Sequence, residues 1–365
     1  LIVYGFNMVL QFIIRFVLLY YLSIEYLGLN GLFDNILTVL SLTELGIGPA
    51  IIFSLYSPLA NHDLETAKSI MRIFKKAYIY IGTLILFLGL CISPFVQHLI
   101  KVPPNIAYLN IFFLLFVVDT GISYFYSYKK CLLIADQKQY IANYYRGITQ
   151  LIGSLFQIVL VILTHSFWVY IILRICMTFS ENYLIARKAD HLYSFLNEKN
   201  IQPLNKDIYQ SIIRNIKALI LHKIGGVTVF GTSNIILSKF VGLSAVALYT
   251  NYYLIINGID KLSDQVFNAL KASVGNLNES HDDAHKLVIF KRLEFMTAYL
   301  ACFICSNLYL LLNPFITIWL GNSYRFDESI VLWMVINFYL MFMRKGVLVF
   351  KDAMGLFWQN RYMSL

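Results

Sequence analysis

Ala77–Ile100 reads AYIYIGTLILFLGLCISPFVQHLI, 24 residues without one Asp, Glu, Lys or Arg. A helix of about 20 apolar residues crosses the hydrocarbon of a bilayer, so this stretch is long enough to span. Nine more runs of the same kind flank it, at about 1–22, 31–56, 106–128, 143–164, 167–186, 216–238, 246–270, 294–320 and 328–350. An eleventh begins near Asn360. None alternates as a barrel strand would, and only helices and closed barrels satisfy their backbone inside lipid. The reading is an all-α, polytopic membrane bundle of about ten spans. Composition agrees: 59% hydrophobic, 13% charged and 16% aromatic, with aromatics favoured at headgroup depth.

The chain also repeats itself. Residues 15–92 lie over 234–311 at an offset of 219 without a gap. Leu18 meets Leu237, Leu29 meets Leu248, Ile36 meets Ile255, and His62-Asp63 meets His281-Asp282. One inserted residue later Pro94-Phe95 meets Pro314-Phe315, and further on Gln137 and Tyr140 meet Gln359 and Tyr362. In a membrane protein such a repeat implies two half-bundles with a binding site between them. The expected organisation is a six-helix lobe over 1–186 with a clipped first span. A basic cytoplasmic linker follows over 187–215, then a pseudo-symmetric lobe over 216–365. The second lobe has no counterpart of spans five and six, so the expectation is a fragment of a chain with at least twelve spans.

A net charge of +9 raises the question of nucleic acid, and its distribution answers it. Lys68, Arg72, Lys75 and Lys76 follow the second span, and Lys129, Lys130, Lys138 and Arg146 flank the gap after the fourth. Further groups lie at 187–223, at Lys271–Arg292 and at Arg344–Arg361. The opposite connections hold Lys101, Lys239 and Arg325. That alternation is the positive-inside bias, which places the N-terminus in the cytoplasm and calls for no nucleic-acid partner. The five cysteines lie in or beside apolar runs without zinc or disulfide spacing. No soluble catalytic domain is visible, and the reading is not an enzyme.

Polar residues inside the spans form stripes at helical spacing. Asn7, Gln11 and Arg15 share a face of the first span; Arg146, Gln150, Gly153 and Gln157 share one of the fifth. Asn257, Asp260, Asp264, Asn268 and Lys271 share one of the eighth. Glu44, Asp119, Arg174 and Lys223 stand apart, and Asn234 falls opposite Arg15 in the repeat. A charge in a bilayer costs about 2.5–3.5 kcal/mol on insertion scales, so these groups face a bundle interior or a watery cavity. One reading is a hydrated, net-basic cavity for an anionic polar substrate, with Arg15, Gln11, Arg146, Gln150, Arg174, Lys223 and Asn234 as binding groups. Glu44, Asp119 and Asp260 are then acids that orient cations or couple to a proton or sodium gradient. The other reading is structural ion pairs and interhelical hydrogen bonds. No cofactor is called for. Gly46-Ile47-Gly48-Pro49 loosens the second span beside Glu44.

Thr43-Glu44-Leu45-Gly46-Ile47-Gly48-Pro49-Ala50 through Ser57-Pro58-Leu59-Ala60 resembles the second-span signature of bacterial polysaccharide and O-antigen repeat-unit flippases. So do Glu25-Tyr26-Leu27-Gly28-Leu29-Asn30-Gly31-Leu32-Phe33, Ala135-Asp136-Gln137-Lys138-Gln139-Tyr140, Gly275-Asn276-Leu277 and Gly355-Leu356-Phe357-Trp358-Gln359. The resemblance implies the multidrug/oligosaccharidyl-lipid/polysaccharide exporter superfamily, with two six-span lobes. It also implies a substrate of undecaprenyl-diphosphate-linked oligosaccharide, flipped across the bacterial cytoplasmic membrane for surface polysaccharide synthesis. Membrane lipids, a polysaccharide polymerase and glycosyltransferases are the implied partners. The chain departs from the pattern at Ser233 and Asn360, where relatives often carry Asp, and over Lys188–Ser194. Losing an acid in the seventh span weakens a cation-coupling role there. A drug or cation antiporter of the same superfamily is the alternative and wants an acidic cavity. A membrane polymerase or glycosyltransferase is another and wants a large outer loop with paired acids.

Overall fold

A computed structural model describes residues 2–44, 47–102, 106–198, 204–206, 208–210, 212–214, 216–217, 231–280 and 283–354. Every regular element among them is helical: α1 Ile2–Tyr21, α2 Ile24–Leu40, α3 Ile47–Ala60, α4 Leu64–Ile92, α5 Leu109–Ala135, α6 Gln139–Thr164 and α7 Phe167–Leu192. There follow α8 Ser233–Phe240, α9 Leu243–Ser280, α10 Asp283–Leu320 and α11 Glu328–Ala353. Short 3₁₀ turns extend α2 (Ser41–Glu44), α4 (Ser93–Leu99) and α7 (Ser194–Asn197).

The repeat in the sequence is also a repeat of helix boundaries. Helices α2, α4 and α5 begin at 24, 64 and 109, and α9, α10 and α11 begin 219 residues later, at 243, 283 and 328. The ends of α1 and α8, at 21 and 240, keep the same offset. One difference stands out. The first copy breaks between α2 and α3, whose axes diverge by 47°, where the second copy is the single 38-residue helix α9. Gly46-Ile47-Gly48-Pro49 faces Gln265-Val266-Phe267-Asn268 at the offset, so the second copy lacks the glycines and the proline. Pro49 falls in the first turn of α3, where its missing N–H loses no intrahelical bond.

Among the described residues six helical segments are long and apolar enough to cross a membrane: 64–99, α5, α6, α7, 284–320 and 328–351. The bent α2–α3 pair makes a seventh. In α1 the apolar stretch Val9–Tyr21 is shorter than a span. The apolar run of α9 is interrupted by Asp260, Lys261 and Asp264, and most of 216–238 lies outside the described residues.

By contacts the chain divides into two compact units, Leu1–Ala247 and Leu248–Met363. The first has two cores. One gathers Phe33, Phe113, Phe116, Phe112 and Phe167 with Leu29; the other lies around Phe74, Tyr78, Ile85 and Leu132. Asn234 of α8 ties that helix to α2, donating to the Gly31 carbonyl at 3.1 Å and to Asn35 Oδ1 at 3.0 Å. The second unit packs Tyr252, Phe338, Phe342 and Ile316 among α9, α10 and α11. There the Tyr252 hydroxyl donates to Asn313 and accepts from the Phe326 N–H at 3.0 Å. Lipid gives apolar helices little reason to associate, so close approach and such buried polar bonds hold the bundle. At Gly89 the α4–α5 contact is so close that a Cβ would overlap the Val117 side chain.

Candidate functional site

Among the described residues, the densest polar network lies in the first unit and centres on Arg174 of α7. Its Nε donates to Asp119 Oδ2 of α5 at 2.9 Å, and one terminal nitrogen to Asp34 Oδ1 of α2 at 2.7 Å. The other donates to Asn30 Oδ1 at 3.1 Å. The guanidinium also lies over the Phe116 ring, 4.4 Å from its centroid. Asn30 and Asp34 stand one turn apart on α2, so both reach the same guanidinium, and Tyr170, one turn before Arg174, donates to Asn30 at 3.4 Å. Arg15 of α1 lies in electrostatic reach of Asp34 and Tyr170. Arg174 thus gathers carboxylates from α2 and α5, with the second cation, Arg15 of α1, near enough to interact electrostatically with Asp34. Asp119 is nearly buried, its Oδ1 without a hydrogen-bond partner, while the Asp34 side chain is 42% exposed.

Other sequence-derived candidates fall elsewhere. Gln11 is exposed on α1. Asn7, on the same stripe, donates to Gln150 of α6 at 3.5 Å, which joins the first and fifth stripes. Arg146 sits 4.0 Å from Glu181 of α7, which Lys130 also approaches at 3.9 Å. Glu44 accepts from the Tyr78 hydroxyl at 2.7 Å and from Tyr124, which pins the end of the α2 turn to α4 and α5. Asn234 is buried in the α8–α2 contact described above. In the second unit Asp260 and Asp264, one turn apart on α9, both pair with Lys345 of α11, Asp260 at 2.9 Å. Lys223 and His222 lie outside the described residues, as do the side chains of Asn268 and Lys271.

Three participants were missed by the sequence reading. Asp34 and Glu181 are charges within the runs 31–56 and 167–186, so the insertion-cost argument that flagged Glu44 and Arg174 applies to them equally. Lys345 reads as one of several cytoplasmic flanking cations, yet it is 9% exposed and bridges two carboxylates. The motif Ala135–Tyr140 has a local reason. Asp136 accepts from Tyr193 and pairs with Lys138 at 2.7 Å, and Gln137 turns the chain at φ +56°. Partial burial acts to raise the Asp136 carboxyl, but the bonds from Lys138 and Tyr193 outweigh it and hold it below the usual carboxylate range.

The geometry belongs to an all-helical, multi-span membrane fold whose helix pattern recurs in its two copies. No described protein family matches the sequence, and no curated protein does. Solved structures do match. A structure described as the inward-facing conformation of a multidrug resistance MATE family transporter of the MOP superfamily aligns over 100% of this chain and 84% of its own. The TM-score is 0.66 and the identity 13%. A MATE in the bent conformation aligns over 100% of this chain and 82% of its own, with a TM-score of 0.59 and 12% identity. The chain has the MATE-type transporter fold.

Proposed function

We propose that this protein is a membrane transporter that flips a lipid-linked oligosaccharide across the bacterial cytoplasmic membrane by alternating access, without making or breaking a bond. The observation that carries the reading is the ion pair of Arg174 with Asp34, with a second guanidinium, Arg15, in electrostatic reach of the same carboxylate. Guanidinium groups bind phosphate oxygens in a bidentate way, which suits the diphosphate of such a lipid. Asn30, Tyr170, Asn7 and Gln150 add the neutral donors and acceptors that a sugar hydroxyl needs.

The two arginines have different parts. Arg174 has an acceptor on each of its three nitrogens, so its role is to fix Asp34 and Asp119. Arg15 is the group offered to the diphosphate, with Lys223 as a second cation. Asp34, the more exposed of the two carboxylates, stands in electrostatic reach of Arg15, so an arriving anion competes with it for that cation. A transporter must bind its substrate without favouring one conformation heavily, and an exchangeable intramolecular partner for Arg15 meets that need.

A small-cation or drug antiporter of the same fold is the second reading. The pair Asp34 and Asp119 favours it, and the neighbour described above is a multidrug transporter. Replacing Arg15 by Ala separates the two. In a strain lacking the chromosomal copy, the Arg15→Ala variant should reach the membrane at normal levels and fail to support polymer export. Export at the unaltered level would remove Arg15 from the site.

A further inference from the structure

A second feature, independent of the central network, lies at the end of α4 that the charge bias assigns to the cytoplasm. Lys68, Arg72, Lys75 and Lys76 follow one helix face at i, i+4, i+7 and i+8. They form one wall of a half-open cavity of about 350 Å³. Phe195 and Leu196, from the turn after α7, are on the other side, with Glu198. Lys68 is 4% exposed and held by Glu65 at 2.7 Å and Glu198 at 2.6 Å. Both glutamates of the cavity's surroundings are thus committed to Lys68. Arg72, Lys75 and Lys76 are exposed and make no ion pair among the described residues.

We propose that this cavity binds the headgroup of an anionic phospholipid from the adjacent leaflet. Three arguments lead there. The first is depth. The segment 64–99 has 36 residues, about 54 Å of helix against about 30 Å of hydrocarbon, and its uncharged part is 77–99. Lys68–Lys76 therefore stand in the headgroup layer. The second is charge: three uncommitted cations line one opening, and basic pockets between helices at this level bind anionic headgroups. The third is continuity. Ile79 and Tyr128 line the same cavity, Ile79 one turn nearer the hydrocarbon than Lys75, which gives a lipid's glycerol and first acyl carbons an apolar wall that a free anion does not need. The apolar surfaces and the basic wall, with Glu198 neutralised by Lys68, fit a phosphodiester with chains attached.

The test is native mass spectrometry of the full chain released from phosphatidylcholine nanodiscs doped with phosphatidylglycerol. The unaltered protein should retain phosphatidylglycerol against the excess of phosphatidylcholine. The triple variant Arg72→Gln, Lys75→Gln, Lys76→Gln should retain it on the order of 100-fold more weakly, since each surface cation contributes about fivefold. The charge-preserving variant Arg72→Lys, Lys75→Arg, Lys76→Arg should keep it, which separates charge from damage to the fold. Lys286→Gln, Lys291→Gln, Arg292→Gln, in the second unit, should keep it too. Equal retention by the first triple variant, or an equal loss in the Lys286 triple variant, would overturn the assignment.

Discussion

Arg174 illustrates how a charge is tolerated inside a bundle. Each of its nitrogens has an acceptor and its flat face lies on Phe116, so the ion pairs with Asp34 and Asp119 are held by shape as well as by charge. Removing one partner of a buried pair leaves the others uncompensated, at a cost of about 3–5 kcal/mol where burial is complete. The Arg174 side chain is 27% exposed, so Arg174→Ala should lower stability by about 2–3 kcal/mol. Arg146, 55% exposed and 4.0 Å from Glu181, is the contrast, and Arg146→Ala should cost less than about 1 kcal/mol. Thermal unfolding in detergent measures both, and equal losses would mean that the network does not hold α7. Arg15, Arg174 and Asp119 were legible as charges inside the bundle because each interrupts an apolar run. Their pairing was not, since Asp34 lies 140 residues from Arg174 in sequence and only the packing of α2 against α7 brings them together.

Between elements, the offset of 219 was legible almost residue by residue, because helix starts are fixed by loop punctuation that both copies keep. Asp63 accepts the Thr66 N–H at 3.0 Å and so caps α4, while its counterpart Asp282 lies outside the described residues just before α10. The break after α2 was legible too, from two glycines and a proline. Its mechanical role is a matter of contacts. A Cβ on Gly48 would sit 2.7 Å from the Tyr78 hydroxyl and 2.9 Å from Glu44 Oε1, so the bond between those two occupies the space a side chain needs. Gly48→Ala should therefore push them apart and destabilise the protein by about 1–3 kcal/mol. Adding Tyr78→Phe, which removes the obstructing hydroxyl, should recover part of the loss. Melting temperatures of the single and double variants check this, and strict additivity would rule the Glu44–Tyr78 latch out. In α9 the same register carries Val266 and Phe267, and the helix runs on.

For the whole molecule, hydropathy and repeat gave an all-α membrane bundle, and the likeness to MATE structures over the full chain agrees with it. Span number was less legible. Among the described residues six helices are long and apolar enough to span, whereas α9 carries charges that pair with Lys345. The two copies share helix boundaries and differ in buried charge. Arg15 stands against Asn234, Glu44 against Ser263, and the Asp34 position holds Tyr253 in the second copy. Under the proposed function, the first copy's charges serve a substrate that is anionic at one end and sugar at the other. Its direct test is translocation in sealed vesicles containing the purified chain and fluorescent undecaprenyl-diphosphate oligosaccharide. The account predicts protein-dependent loss of the label's accessibility to an impermeant quencher, abolished by Arg15→Ala. Translocation no faster than in empty vesicles, with proton-driven efflux of a cationic dye from the same preparation, would contradict it.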